Sequence, residues 1–286
     1  MCRETGQATQ EDAMAKAKSP IPEGFRSLTQ YLILDNAAGF FNFVEQAFGA
    51  TERFLMRDGD GIIRHAEAQL GESIVEFAEA SGQWRAMPAG LHYYVRNSDQ
   101  VYEQALSAGA TSLYQPANRD YGDREAGVQD PAGNFWFIST HTAGKSYKPE
   151  ILQGLNTYFS VRDSALFLDF LEKAFGAVAL ENHAANGNIM HAKVRIGGTV
   201  VELSEGRSPW GPRAVAHHYY VPNSDEVFER AVANGGKELQ PMADRFYGDR
   251  SGSLVDAWGN HWYIATHTED LTQDEIAQRA AAAGSQ

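Results

Sequence analysis

An internal duplication constrains the fold of this chain more than any other feature of its sequence. A segment that begins with Tyr-Gly-Asp-Arg at Tyr121 and ends at His141 returns between Tyr247 and His267. The offset is 126 residues at both ends, and three upstream pairs share it: His65/His191, Glu76/Glu202 and His92/His218. The chain is therefore a tandem duplication, and each copy can be read against the other.

The composition excludes several classes of function. The 286 residues carry a formal net charge of −13, which disfavours nucleic acid as a partner because phosphate binding needs a basic surface. Cys2 is the only cysteine, so no intramolecular disulfide can form. Apolar runs of membrane-spanning length and the apolar core of a signal peptide are missing. We expect a cytoplasmic protein, monomeric or homodimeric, with no membrane partner.

Each copy contains two predicted βαβββ units. In the first unit a strand at 28–34 precedes a helix that Asp35 or Asn36 caps and Gly49 stops, followed by strands at 51–56, 63–70 and 73–78. In the second, a strand at 91–95 precedes a helix that Ser98 or Asp99 caps and Gly109 stops, followed by strands near 113–116, 124–129 and 135–141. The pattern predicts an α+β chain of four such units.

The domain boundaries follow from the repeat. Residues 1–24 are polar and rich in alanine, and we predict a flexible tail there. The first copy spans 25–143, a linker 144–153, and the second copy 154–268. The composition of 269–286 is typical of a capped, alanine-rich terminal helix.

The motifs resemble a known superfamily. The Phe-Gly-Ala at Phe48, the His-Ala-Glu strand at His65, and the Tyr-Gly-Asp-Arg and Asp-Pro-x-Gly-Asn-x-Trp-x-Ile ending are similar to the glyoxalase/bleomycin-resistance (vicinal oxygen chelate) superfamily, and to its PhnB-like branch in particular. The resemblance covers nearly all of 27–142 and 154–268. It implies paired units that curl mixed sheets around a cavity, with helices outside. The superfamily includes metal-dependent lyases, isomerases, dioxygenases and metal-free drug-binding proteins, so the fold alone does not give the function.

Alternation along the 63–78 hairpin predicts which side chains face that cavity. If Leu70 pairs with Ser73, Glu67 lies opposite Glu76 on a polar face, while Val75 and Phe77 lie on an apolar face toward the helix. Two adjacent carboxylates repel each other, so a proton or a cation between them would stabilise the pair. In the second copy Lys193 lies opposite Glu202, and we expect these two charges to neutralise each other without a ligand.

The resemblance also implies four metal-ligand positions per domain. They fall on Thr29, Glu76, Gly90 and Phe137 in one copy and on Asn156, Glu202, Ala216 and Tyr263 in the other. Only the glutamates are suitable, which excludes an extradiol dioxygenase and an unmodified glyoxalase I site. A displaced site for one divalent metal (Zn, Ni or Mn) could use His65, Glu67, Glu76 and His92 or, less favourably, His191, Glu202 and His218. In the alternative interpretation, each histidine forms a hydrogen bond with a neighbouring residue within the sheet.

The remaining inward positions suit an organic ligand. The candidate ligand-binding residues are Tyr31, Tyr94, Phe137, Arg124, Tyr158, Lys193, Tyr220, Tyr263 and Arg250, although an Asp-Arg pair beside a glycine turn also orders loops. Three hypotheses stay open. The chain sequesters a small organic molecule such as an antibiotic, or it is a metal-dependent lyase or isomerase with Glu76 as its catalytic residue, or it is a non-catalytic scaffold.

Overall fold

The computed structural model describes residues 16–142 and 154–283, so the predicted linker at 144–153 lies outside the described residues. The first unit consists of β1 (Leu28–Leu34), α1 (Ala37–Phe48), β2 (Thr51–Arg57), β3 (Ile63–Leu70) and β4 (Ser73–Glu79). The second unit consists of β5 (Gly90–Tyr94), α2 (Ser98–Ser107), β6 (Thr111–Asn118), β7 (Asp123–Gln129) and β8 (Phe135–His141).

The second copy repeats this order. Its first unit consists of β9 (Leu155–Val161), α3 (Ser164–Phe175), β10 (Val178–Ala185), β11 (Asn188–Ile196) and β12 (Thr199–Glu205). Its second unit, the fourth of the chain, consists of β13 (Ala216–Tyr220), α4 (Ser224–Ala233), β14 (Lys237–Asp244), β15 (Asp249–Val255) and β16 (His261–His267). A terminal helix, α5 (Gln273–Ala283), follows. None of the helices described is both long and apolar enough to cross a membrane.

Local sequence signals set the helix ends. The Asn36 side chain accepts a hydrogen bond from the Gly39 amide at the start of α1, and Gly49 ends that helix in the left-handed region at φ 67°. The cap of α2 is Asn97, so the expected cap at Ser98 or Asp99 is wrong. Asn97 has the extended backbone that aims its side chain at the Gln100 amide, whereas Ser98 is already helical.

The strands form two mixed sheets of eight strands each, with the helices on their outer faces. The first sheet has the order β14-β15-β16-β13-β1-β4-β3-β2, and the second has the order β10-β11-β12-β9-β5-β8-β7-β6. Within each sheet, two units are joined by antiparallel pairing of their first strands, β1 with β13 in the first sheet and β5 with β9 in the second. Each sheet therefore combines one unit from each copy, and the sheets do not follow the sequence repeat.

Helix packing joins the two units of one copy, although their strands lie in different sheets. The two units of one copy share a helix layer, because α1 packs on α2 and α3 packs on α4. Phe48 at the end of α1 also contacts Trp136 of the other sheet, with ring centroids 4.5 Å apart. With the units of one copy joined through their helices, their opening strands pair with strands of the other copy.

The predicted parity and register are confirmed. Glu67 pairs with Glu76, Leu70 with Ser73, and Lys193 with Glu202. Val75 and Phe77 are fully buried in the hydrophobic core. The polar alternate residues consequently lie on the opposite face of each sheet, as the alternation predicts.

Residues 16–24 differ from the expected flexible tail, while residues 1–15 of that prediction lie outside the described residues. Within residues 16–24, the Ala17 amide donates to Thr268 O at 2.8 Å, and Pro20 O accepts from the His267 amide at 3.0 Å. Lys16 and Glu269 form an isolated β-bridge. The described part of the N-terminus is thus paired with the chain that follows β16.

Candidate functional site

The inner face of the first sheet carries a buried Glu–His pair, here called the Glu76 site. Glu76 of β4 is 1% exposed, and His218 of β13 donates from Nδ1 to Glu76 Oε1 at 3.1 Å. Burial alone would lower the pKa of His218, but the charge and hydrogen bond of Glu76 outweigh it, so this pKa lies above its ordinary value. Glu76 Oε2 and His218 Nε2 are buried and have no hydrogen-bond partner within the described residues.

Aromatic rings surround this pair. Tyr31 of β1 and Tyr263 of β16 lie with ring centroids 5.1 Å apart, and Trp84 lies 5.6 Å from Tyr263. His65 of β3 stacks on Tyr31 at 5.8 Å, and its Nε2 lies 3.9 Å from Glu76 Oε1. Tyr31, Tyr263 and His65 are partly exposed, so they form the side of the site that faces solvent.

Glu67 has basic neighbours of its own, so the repulsion expected between two adjacent carboxylates does not raise its pKa. Its carboxylate lies 3.3 Å from Arg53 Nε and 3.6 Å from His65 Nε2. Burial would raise the pKa of Glu67, but the hydrogen bonds and charges of His65 and Arg53 outweigh it and lower this pKa. Arg53 and His65 are therefore the neighbours that stabilise the Glu67 carboxylate.

The second sheet carries the counterpart, here called the Glu202 site. His191 Nε2 donates to Glu202 Oε2 at 2.9 Å, and Asn156 Nδ2 donates to Oε1 at 3.4 Å. His92 Nδ1 lies 2.7 Å from Oε1, as a charge contact rather than a well-aligned hydrogen bond. Burial would raise the pKa of Glu202, but His92 and His191 outweigh it and hold this pKa well below its usual range. Both oxygens of this carboxylate therefore have partners.

Glu202, His92 and Ser139 are connected in the order of a nucleophile triad, but the direction of the hydrogen bonds excludes that chemistry. His92 Nε2 lies 2.7 Å from Ser139 Oγ, and that hydroxyl donates to Glu125 Oε2 at 3.2 Å. In a serine nucleophile the hydroxyl proton must point to the histidine. Ser139 is also 0% exposed, so the chain of groups is a structural hydrogen-bond network.

The structure separates residues that the sequence brought together. His92 was expected beside Glu76 in a displaced metal site with His65 and Glu67. This is wrong, because His92 lies on the second sheet against Glu202, while His218 lies against Glu76. The exchange of units between the sheets explains the error.

The predicted partner of Glu202 also differs. Lys193 pairs in register with Glu202, but its ammonium lies 4.0 Å from Glu181 Oε2 and 6.0 Å from the ring centroid of Tyr94. Glu202 is satisfied by His191 and His92 instead, since they lie closer to its carboxylate.

The candidate aromatic residues divide between the two sites. Tyr31, Tyr220 and Tyr263 belong to the Glu76 site. Tyr94, Phe137 and Tyr158 belong to the Glu202 site, where Phe137 and Tyr158 have ring centroids 5.3 Å apart. Tyr94 and Tyr220 donate their hydroxyls to Asp123 and Asp249. Burial, followed by the charge of Glu202, raises the pKa of Tyr158 to about 12, so this tyrosine is neutral near pH 7.

The two arginines proposed as ligand clamps are engaged elsewhere. Arg124 pairs through Nε and Nη2 with both carboxylate oxygens of Asp99 in the first turn of α2. Arg250 pairs in the same way with Asp225 in the first turn of α4. Both side chains join the start of a strand, β7 or β15, to a helix, and the structure does not bring them to either site.

The side chains of the Glu76 site offer fewer donor atoms than a metal ion usually needs. Metal sites in proteins usually take three or more protein ligands. Within residues 16–142 and 154–283, no group of three His, Cys, Asp or Glu side chains is placed to hold one. Glu76 and His218 offer two donor atoms. The arrangement as it stands does not fit a metal centre of the usual kind.

Sequence reasoning missed the two tryptophans that cover the sites. Trp84, in the loop after β4, packs on Tyr263 and on His261, at 5.5 Å from the latter. Trp210, in the loop after β12, packs on Phe135 at 5.4 Å and on Phe137 at 6.0 Å. The repeat contained a signal, because these residues keep the offset of the copies although they lie outside the predicted strands.

Comparison with known proteins agrees with the fold and the sequence. Residues 154–264 match the model of the family described as the glyoxalase/bleomycin resistance protein/dioxygenase superfamily. An uncharacterized protein of Mycobacterium bovis is 31% identical over 142 residues, which are 46% of this chain and 93% of that protein. An uncharacterized protein of Mycobacterium tuberculosis is also 31% identical, over 46% of this chain and 84% of its own length.

Among solved structures, glyoxalase I from Zea mays superposes with a TM-score of 0.63 at 17% identity, over 89% of this chain and 96% of that chain. At this identity the likeness establishes the fold alone. The chain belongs to the glyoxalase/bleomycin resistance protein/dioxygenase superfamily.

Proposed function

We propose that this protein, a tandem member of the PhnB-like branch, binds a small organic molecule at the Glu76 site, in the manner of a sequestration or resistance protein. One observation carries the proposal. A buried carboxylate and imidazole each retain an unpartnered polar atom beneath the partly exposed rings of Tyr31 and Tyr263. Buried polar atoms normally have partners, so such a pair within aromatic walls is typical of a ligand site.

Trp84 provides an intrinsic probe of the site. In a thermal-shift and fluorescence screen of small aromatic molecules, we expect molecules that raise the melting temperature to change tryptophan emission as well. Trp84→Phe should abolish most of that change, because Trp84 packs directly on Tyr263. The matched variant Trp210→Phe should leave it intact, since Trp210 covers the other site.

Two results would contradict this proposal. If the emission change survives in Trp84→Phe and disappears in Trp210→Phe, the ligand binds at the Glu202 site. If no molecule stabilises the wild-type protein, the reading as a binding protein fails and the scaffold hypothesis replaces it.

A metal-dependent lyase or isomerase is the second candidate. It is favoured by the unpartnered Glu76 Oε2 and His218 Nε2, which are atoms of the type that bind Zn²⁺, Ni²⁺ or Mn²⁺. Against it stands the missing third donor in the described part of the chain. A bound metal would act on ligand oxygens as a Lewis acid.

Calorimetric titration of the three metals decides between the candidates. For a metal at this site, stoichiometric binding must disappear in Glu76→Gln and survive in Glu202→Gln, with circular dichroism to check that both variants are folded. Equal binding by wild type and Glu76→Gln would place the metal elsewhere and remove the second candidate.

A further inference from the structure

A groove of about 600 Å³ lies on the helix layer of the first copy, here called the α1–α2 groove. It is lined by residues of α1 and α2 and by the residue that ends α2, namely Gln46, Gln100, Glu103, Gln104, Ser107 and Ala108. Glu103 is the only charged side chain among these six residues. The groove offers amide groups, a hydroxyl and one carboxylate, and its volume is in the range of small-molecule sites. It is separate from the Glu76 site, which lies on the inner face of a sheet.

The second copy bridges the corresponding position with an arginine of its own. Arg230, in the last turn of α4, donates from Nε to the carbonyl oxygen of Ala174 in α3 at 2.8 Å. Its Nη1 lies 3.7 Å from Oε1 of Glu226, one turn earlier on α4. A guanidinium group thus joins the C-terminal ends of the two helices and faces a carboxylate.

The first copy lacks this cation and a second one beside it. The helices α1 and α2 pack together as α3 and α4 do. Gln104 takes the place of Arg230, and Gln46 takes the place of Lys173 in the last turn of α3. Both α1 and α2 lie within the described residues, and neither has a basic side chain in its last turn. The bridge between the helix ends is therefore missing from the first copy.

Electrostatics favour a cation in the α1–α2 groove. The last carbonyl groups of a helix lack intrahelical donors and carry partial negative charge, so a cation near them is stabilising. Glu103 adds a full negative charge, and it is the counterpart of Glu229 in the second copy. The carboxylate is thus present in both copies, whereas the cations are present only in the second. The net charge of −13 also draws cations to the surface of the protein.

We propose that the α1–α2 groove binds a small organic cation that carries a guanidinium group. The guanidinium takes the position that Arg230 fills in the second copy and donates to the carbonyl oxygen of Ala47, the counterpart of Ala174. Its planar fork of donors suits carbonyl and side-chain amide oxygens, and Glu103 balances its charge. The second copy, whose own arginine takes this position, does not bind such a ligand.

Three molecules with the same butyl chain test the ligand class: butylguanidinium, butylammonium and butylurea. Binding to the full chain at low salt is followed by ¹H–¹⁵N NMR of the side-chain amides of Gln46, Gln100 and Gln104. We expect butylguanidinium to shift these signals and to bind about tenfold more tightly than butylurea, which has a similar shape but no charge. Butylammonium should bind about threefold more weakly than butylguanidinium, because it lacks the planar fork.

These affinities decide the proposal. Equal binding of butylurea would overturn the role of charge, and equal binding of butylammonium would overturn the guanidinium class. If none of the three molecules shifts the glutamine signals, the groove is not a binding site.

The duplicated chain offers reciprocal variants. Gln104→Arg gives the α1–α2 groove the arginine that the second copy already has, and it should weaken butylguanidinium binding about tenfold. Arg230→Gln removes that arginine from the second copy, so butylguanidinium should now also shift the backbone amide signals of Ala233 and Asn234. Circular dichroism checks that both variants are folded. Wild-type affinity in Gln104→Arg, or unchanged Ala233 and Asn234 signals in Arg230→Gln, would overturn the equivalence between the ligand and Arg230.

Discussion

Replacing Glu202 by glutamine is expected to lower the free energy of unfolding by about 3–5 kcal/mol, because it removes one partner from a buried charge pair. Glu202 is 1% exposed and lies within 2.9 Å of nitrogen atoms of both His92 and His191. Glu76→Gln also removes one partner from a buried pair, but its cost should be smaller, since Glu76 faces one histidine at 3.1 Å rather than two and its second oxygen has no partner. Urea unfolding of both variants near pH 6 measures the difference.

The choice of pH 6 follows from the shifted pKa values of Glu202 and His92. The pKa of Glu202 is lowered below its usual 4.5, so its stabilising effect is present above pH 4.5 and is lost as the pH falls through the folded-state value. The pKa of His92 is raised above 6.5, so its effect is present below pH 6.5 and is lost as the pH rises through the folded-state value. Near pH 6 both effects are present. Equal losses in the two variants would mean that the Glu202 site is no better satisfied than the Glu76 site.

His217→Leu is expected to make the protein more resistant to acid. His217 is 0% exposed and stacks on Trp262, with ring centroids 5.3 Å apart. Burial lowers its pKa to about 3, so it is neutral in the folded protein, while in the unfolded chain it takes up a proton below pH 6.5. Its folded-state pKa is depressed, so wild type loses up to about 1.4 kcal/mol of stability for each pH unit between 6.5 and the folded-state value. Leucine is the residue at this position of the first copy, Leu91.

Urea unfolding at pH 7.5, 6.0 and 4.5 tests this prediction. The difference in the free energy of unfolding between variant and wild type should change by about 2–3 kcal/mol in favour of the variant from pH 7.5 to 4.5. A constant effect of repacking would not change with pH. His183→Gln, on the exposed part of β10, is the control and should follow wild type. Parallel profiles for wild type and His217→Leu would show that His217 does not resist protonation.

Local contacts could be predicted from the sequence, and distant ones could not. The register of β3 with β4 followed from alternation, because a slip of one residue would expose Val75 and Phe77. The choice of partner for β1 depends on packing between segments far apart in the chain. Every unit has an opening strand of the same kind, so the repeat cannot show that β1 pairs with β13 rather than with β5.

The same limit applies to the site. Glu76 and the rings of Tyr31 and Tyr263 were identified from strand parity. The partner of Glu76 was not, because His92 and His218 are equivalent in sequence and only the sheet topology distinguishes them. Trp84 and Trp210 were missed for another reason, since they lie in loops where no alternation indicates which way a side chain points.

The nested order of the units has a consequence for synthesis on the ribosome. The second sheet is built from consecutive units and can form once residue 205 has emerged, but the first sheet joins the opening and closing units of the chain. The edge of β1 that pairs with β13 must wait until β13 is made, which at roughly 5–20 residues per second is a delay on the order of ten seconds. During that time an unpaired strand edge is open to association with other nascent chains. Newly made protein therefore has more need of a chaperone along β1 than anywhere on the second sheet.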